Sequence, residues 1–209
     1  MACRDRRLAR VRHELYSCST SIRKTSEAKN DDTRSSYGDP PRKYVVDGAN
    51  AKAFKVSEFD QVQLKWYPAE KGKNHPCSVD AVHMDDSGKW YAIEFKIGSV
   101  KTANLVRKIH ETVMGMKEHL GPIDVRFSGY DFYRENMVYL VVASELEEMN
   151  SAEKTFYRAY NAYEEPWEQQ NFPLRWQLKP LEGILVRKVY ELSPSMFSRF
   201  AKKKKWFKK

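Results

Sequence analysis

Cysteine is scarce in these 209 residues: Cys3, Cys18 and Cys77 are all there is. The number is odd and no two form a CxxC pair, so neither a disulfide framework nor a zinc knuckle is indicated, and a reducing, cytoplasmic setting is expected. Long apolar runs are missing as well. None approaches the roughly 18 residues that span a bilayer, and the N-terminus lacks the apolar stretch of a signal peptide, so no transmembrane segment is expected. The glycine motifs GxGxxG, GxxxxGK[ST] and GxSxG do not occur, which argues against dinucleotide, P-loop and α/β-hydrolase sites. His75, His83, His110 and His119 show no HExxH or paired metal spacing.

What is present is positive charge and aromatic bulk. Lys and Arg number 37 against 28 Asp and Glu, a net +9, and this balance favours polyanionic partners. A hydrophobic content of 41%, with 5 Trp, 12 Tyr and 10 Phe, supplies a core for one ordinary domain with extensions. Much of the excess charge lies at the ends. Residues 1–43 read as a basic arm and linker, and 44–195 as the domain. Residues 196–209 read as a tail in which Phe197, Phe200, Trp206 and Phe207 interleave with Lys202, Lys203, Lys204 and Lys205. Such a tail suits a nucleic-acid backbone and its bases. An anionic membrane surface would attract it similarly, and a merely solvated tail is the plain alternative.

The central stretch runs from Cys77 to Ser99, where two runs of β-branched and aromatic residues flank an Asp/Ser/Gly cluster, the pattern of a β-hairpin. If Asp86-Ser87-Gly88 is a three-residue loop with Gly88 at the positive-φ position, Asp85 pairs with Lys89. The same register sets Asp80 opposite Glu94, and Lys96 shares the Glu94 face. Like charges directly opposed call for a cation. Two carboxylates with the Phe95 carbonyl nearby suit Mg²⁺ or Mn²⁺, and a lysine beside them suits phosphodiester hydrolysis. The alternative is a solvated Glu/Lys pair on an exposed hairpin, but the apolar neighbours on both faces demand partners for buried charge.

Asp80, thirteen intervening residues and then Glu94-Phe95-Lys96 resembles the PD-(D/E)xK nuclease superfamily. The resemblance covers roughly Val56 to Ser144. It implies an α/β protein with a restriction-endonuclease-like αβββαβ core, a mixed central sheet flanked by helices, here with basic terminal extensions. It implies a metal-dependent nuclease acting on nucleic acid, DNA before RNA. Asp80 and Glu94 would bind metal and Lys96 would serve the attacking water. Many members act as dimers, so a homodimer is among the implied assemblies. Val79 stands where proline often precedes the aspartate. The acid that many members carry on the first core helix has only Glu58 and Glu14 as candidates. A nuclease-fold protein that binds nucleic acid or a protein partner without cleaving it is the alternative reading.

Around this centre, Ala51, Ala53 and Phe54 are expected in a first core helix, and Phe59 to Tyr67 in the first core strand. Leu105, Ile109, Val113, Met116 and Leu120 form one helical stripe ended by Gly121-Pro122. Lys101, Asn104 and Lys108 lie off that stripe, where they would either meet substrate phosphate or form a solvated helix face. Val125-Arg126-Phe127 reads as a short strand. Met137 to Ala143 reads as a strand buried on both faces. Ser151 to Glu164 reads as a second amphipathic helix, and Gly183 to Leu192 as a last strand.

Overall fold

The computed structural model describes residues 2–27, 45–47, 49–68, 75–97, 101–144 and 177–207. In chain order the elements are α1 (Ala2–Leu15), β1 (Ser19–Ser21), α2 (Ile22–Thr25), α3 (Ala49–Ala53), β2 (Lys55–Glu58) and α4 (Phe59–Trp66). The hairpin β3 (Ala81–Met84) and β4 (Trp90–Lys96) follows, then α5 (Thr102–Leu120), α6 (Tyr130–Asn136), β5 (Met137–Ala143), β6 (Lys188–Leu192) and α7 (Pro194–Lys203). Among the described residues the strands form one mixed α/β sheet in the order β1-β2-β3-β4-β5-β6. The first four pair antiparallel, while β4, β5 and β6 run parallel.

The hairpin folds in the expected register. Gly88 has φ +80°, a conformation costly for a residue with a Cβ. The Asp85 N–H donates to the Lys89 carbonyl at 3.0 Å, and the pairs run Met84 with Trp90 through Ala81 with Ile93. The Asp85 carboxylate accepts from the Ser87 and Lys89 N–H groups and from the Tyr91 hydroxyl. Burial opposes ionisation of Asp85, but these bonds hold its pKa below the ordinary carboxylate value.

Alternation along β4 divides the core in two. Trp90 and Ala92 face one side with Tyr139 and Val141 of β5. There α5 lays down Leu105, Ile109, Val113, Met116 and Leu120, joined by Phe59 and Val62 of α4 and Val11 and Leu15 of α1. Each fully buried side chain of that α5 stripe contributes roughly 1.5–3 kcal/mol. Tyr91, Ile93 and Phe95 face the other side with Leu140 and Val142, covered by Phe197, Phe200, Ala201, Trp206 and Phe207. All seven residues of β5 are buried, as its unbroken apolar run implies for a strand paired on both edges.

Several expectations are corrected. Phe59 to Tyr67 is not the first core strand. Phe59, Val62, Gln63 and Trp66 stand at i, i+3, i+4 and i+7 of α4, and the alternating pattern fails at Leu64, which is 44% exposed. The strand is instead the short β2 before it. Ala51 and Ala53 lie in a single helical turn, α3, with Phe54 beyond its end. Val125–Phe127 is a 3₁₀ turn capped by Asp124, not a strand. The last strand begins at Lys188; residues 183–185 form a turn, closed by an isolated bridge between Glu182 and Val186.

The termini are not appended extensions. Within 1–43, residues 2–27 belong to the fold: Val11, Leu15 and Ile22 are fully buried, β1 pairs with β2, and the Ser57 hydroxyl donates to the Leu15 carbonyl at 2.5 Å. In 196–209, the tail aromatics fill the second core, with Trp206 packed edge-on to Tyr91 at 4.6 Å and stacked on Phe54 at 5.4 Å. An i, i+3, i+4 stripe of Phe197, Phe200 and Ala201 is what turns this segment inward. The remainder of the expected linker, 28–44, and the helix expected over Ser151 to Glu164 lie outside the described residues. Among the described residues no helix is long and apolar enough to cross a membrane.

Candidate active site

Asp80 sits at the mouth of the hairpin, immediately before β3. Its carbonyl accepts the Phe59 N–H at the start of α4, at 3.1 Å. Its side-chain Oδ2 accepts the Phe95 N–H at 2.7 Å, taking the place of a ladder bond just past the end of β3. The pairing register carried one step beyond Ala81–Ile93 sets Asp80 across from Glu94. The carboxylates are therefore neighbours on the face covered by α5.

Glu94 is completely buried. Its Oε1 receives two ammonium groups, Lys96 Nζ at 2.7 Å and Lys108 Nζ at 2.7 Å. Lys108 reaches in from α5 and also lies 3.6 Å from Asp80 Oδ1. The other oxygen of Glu94, Oε2, is buried without a hydrogen-bond partner. An orphaned carboxylate oxygen in a low-dielectric interior costs on the order of 1–3 kcal/mol or more, so it is an acceptor awaiting a donor or a cation.

The electrostatics follow from this crowding. Burial, then the Glu94 charge, push the Asp80 carboxyl up to about 7, against the pull of Lys108. Burial opposes the charge on Lys108, but Asp80 and Glu94 together carry its pKa above the ordinary value. Tyr139 is raised by burial and then by the same two carboxylates, so its hydroxyl remains a neutral donor, 3.4 Å from the Leu105 carbonyl.

Sequence reasoning missed two features here. Asp60, in the first turn of α4, is held by the Ser78 hydroxyl, and its charge raises both Asp80 and Lys108. Reading 59–67 as a strand concealed it; a helix starting at Phe59 would have put an acid in its first turn. Glu14, considered for that place, instead accepts the Trp66 indole N–H at 2.9 Å. The second feature is the target of Lys108: its ammonium is bound to Glu94 and faces Asp80, and is not an open phosphate contact.

Lys101 and Asn104 are exposed at the start of α5 and fall on one stripe with Lys108, at i, i+3 and i+7. Lys202, Lys203, Lys204 and Lys205 are exposed around the end of α7. That helix packs on the Phe95 face of the sheet, opposite to Glu94. A ligand touching both groups has to pass around a sheet edge.

The donor set fits a hard divalent cation in type: two carboxylates, one with a free oxygen, and the Phe95 carbonyl on the strand edge that its N–H shares. Among the described residues no group of three or more His, Cys, Asp or Glu side chains is close enough to hold a metal ion. Such a cation would thus depend on two carboxylates, main-chain oxygen and water. Comparison of the chain with protein-family models, with curated proteins and with solved structures finds no match.

Proposed function

We propose that the chain is a metal-dependent nuclease that hydrolyses phosphodiester bonds of nucleic acid, DNA before RNA, at Asp80, Glu94 and Lys96. The observation that carries the reading is the partnerless Oε2 of a fully buried Glu94, beside a second carboxylate raised to about 7. The antiparallel pairings of β2 with β3 and β3 with β4, then the parallel pairing of β4 with β5 across the long helix α5, are in keeping with the αβββαβ core that the resemblance implies. A Mg²⁺ or Mn²⁺ ion held by Asp80, Glu94 and the Phe95 carbonyl would supply a Lewis acid and a bound water of lowered pKa. Lys96, its side chain 16% exposed, shares Glu94 Oε1 with Lys108 but, unlike Lys108, stands on the strand that carries Glu94. It orients a water or offsets charge developing on a phosphate. Lys108 holds the carboxylates in place from α5.

Lys96→Ala is expected to abolish cleavage of plasmid, linear and single-stranded DNA in Mg²⁺ or Mn²⁺, with an unchanged circular dichroism spectrum. Equal activity in variant and parent removes Lys96 from the mechanism. A second reading, binding without hydrolysis, is favoured by Lys108, whose ammonium lies between the carboxylates where a cation would balance them. Under it no DNA is cut in any metal, and binding persists in EDTA while weakening with salt.

A further inference from the structure

Between Tyr67, His75 and one side of α5 lies an open cavity of about 860 Å³, within the size range of small-molecule sites. The helix joins it to the carboxylates. Lys108 points to Asp80 and Glu94, while its neighbour Arg107 and Glu111, one turn on, line the cavity. Glu111 also accepts the N–H of Cys77, three residues before Asp80, so the wall of the cavity is tied to the strand that carries the site.

The lining selects among ligands. Two carboxylates lie within it, Glu111 paired with Arg107 at 3.4 Å and Glu118 accepting from the Tyr67 hydroxyl, so the lining offers both acceptors and a donor to the polar edge of a neutral ring. The Tyr67 ring is fixed by its hydroxyl bond to Glu118 at 2.5 Å and by the edge of His119 at 4.9 Å. Met114 is 48% exposed, and His110 is exposed one helical turn before it. A thioether and two kinds of aromatic ring are surfaces on which a flat heterocycle stacks. Gly115 keeps the floor low: a Cβ there would come 3.0 Å from Gln63 Nε2 and 3.6 Å from Tyr67 Cε2. A glycine in mid-helix weakens the helix, and this close approach is what it permits.

We propose that this cavity receives an unpaired nucleobase near the phosphodiester that the site of Asp80, Glu94 and Lys96 would cleave, so that the substrate is single-stranded or locally opened nucleic acid. A base stacked and paired in a duplex cannot enter a cavity without being extruded. The proposal rests on the nuclease reading for its choice of ligand.

The test is equilibrium binding in EDTA, where no cleavage occurs, of a fluorescent mixed-sequence single strand and of an abasic strand of equal length. The intact protein is expected to prefer the base-bearing strand by about ten-fold, the scale of stacking one base. The double variant His110→Ala, Met114→Ala alters two exposed side chains and is expected to lose that preference while binding the abasic strand as before. Equal binding of both strands by the parent, binding of neither, or a preference that survives the double substitution overturns the proposal. Cleavage is measured separately: no cutting of DNA by the parent protein in Mg²⁺ or Mn²⁺ sinks the nuclease reading, whereas the base preference is read without any cleavage.

Discussion

Replacing Lys108 by methionine removes one ammonium from between two buried carboxylates while keeping most of the side-chain volume. The lost contacts are at 2.7 Å to Glu94 and 3.6 Å to Asp80. At an effective dielectric of about 20, unit charges 4 Å apart attract by about 4 kcal/mol, so the gross loss is on the order of 6 kcal/mol from Glu94, with a smaller part from Asp80, which is only partly ionised near neutrality. Desolvation of the ions offsets most of that, and deleting one partner of a buried pair typically costs about 3–5 kcal/mol. With the Lys108 side chain 20% exposed, the lower end applies, about 3 kcal/mol. For a chain of this size that lowers Tm by roughly 6–12 °C. The assay is thermal denaturation in EDTA and in excess Mg²⁺ or Mn²⁺. If a cation competes with Lys108 for the same oxygens, the ion raises Tm more in the variant than in the parent, by about 2.7 kcal/mol of linkage at a hundred times Kd. No fall in Tm refutes the coupling described here. A fall that neither metal reverses refutes a cation site between the two acids and leaves binding without hydrolysis.

Two further outcomes follow. His83, held by the Tyr16 hydroxyl at 3.1 Å and ringed by Phe54, Tyr91 and Trp206, is pushed down by burial to about 4. The unfolded chain therefore binds the proton first, and stability falls as pH drops from about 6.5 to about 4, by up to roughly 3 kcal/mol. Urea denaturation across that range checks it, and His83→Phe is expected to flatten the slope. Gly88→Ala is expected to cost about 1–2 kcal/mol from φ alone, since the added methyl meets nothing within 4 Å. Gly88→Asn is expected to cost less, and equal stability of all three proteins would dismiss the turn geometry.

The parts of the fold legible in the sequence are those where one local rule acts alone. Gly88 decides a loop, the loop decides a register, and the register brings Asp80 and Glu94 together. A stripe from Leu105 to Leu120 has one solution as a helix, and seven apolar residues from Met137 have one as a buried strand. Legibility fails where two periods fit the same residues, as from Phe59 to Trp66, where Val62, Leu64 and Trp66 alternate but Phe59, Val62 and Trp66 also share a helical face. It fails again where composition masks packing. The lysines of 202–205 and the early arginines suggest solvated ends, yet the apolar residues among them are core. The partner of Lys108 was not readable, because only tertiary packing of α5 on β4 decides whether a long side chain meets solvent or Glu94.

The bond from the Phe95 amide to Asp80 gives the site a spectroscopic gauge. Any proton or ion that neutralises the aspartate weakens the acceptor of that one amide, so the resonance and solvent-exchange rate of Phe95 record occupancy directly. Its neighbours in the parallel ladder, whose acceptors are main-chain carbonyls, serve as the internal standard.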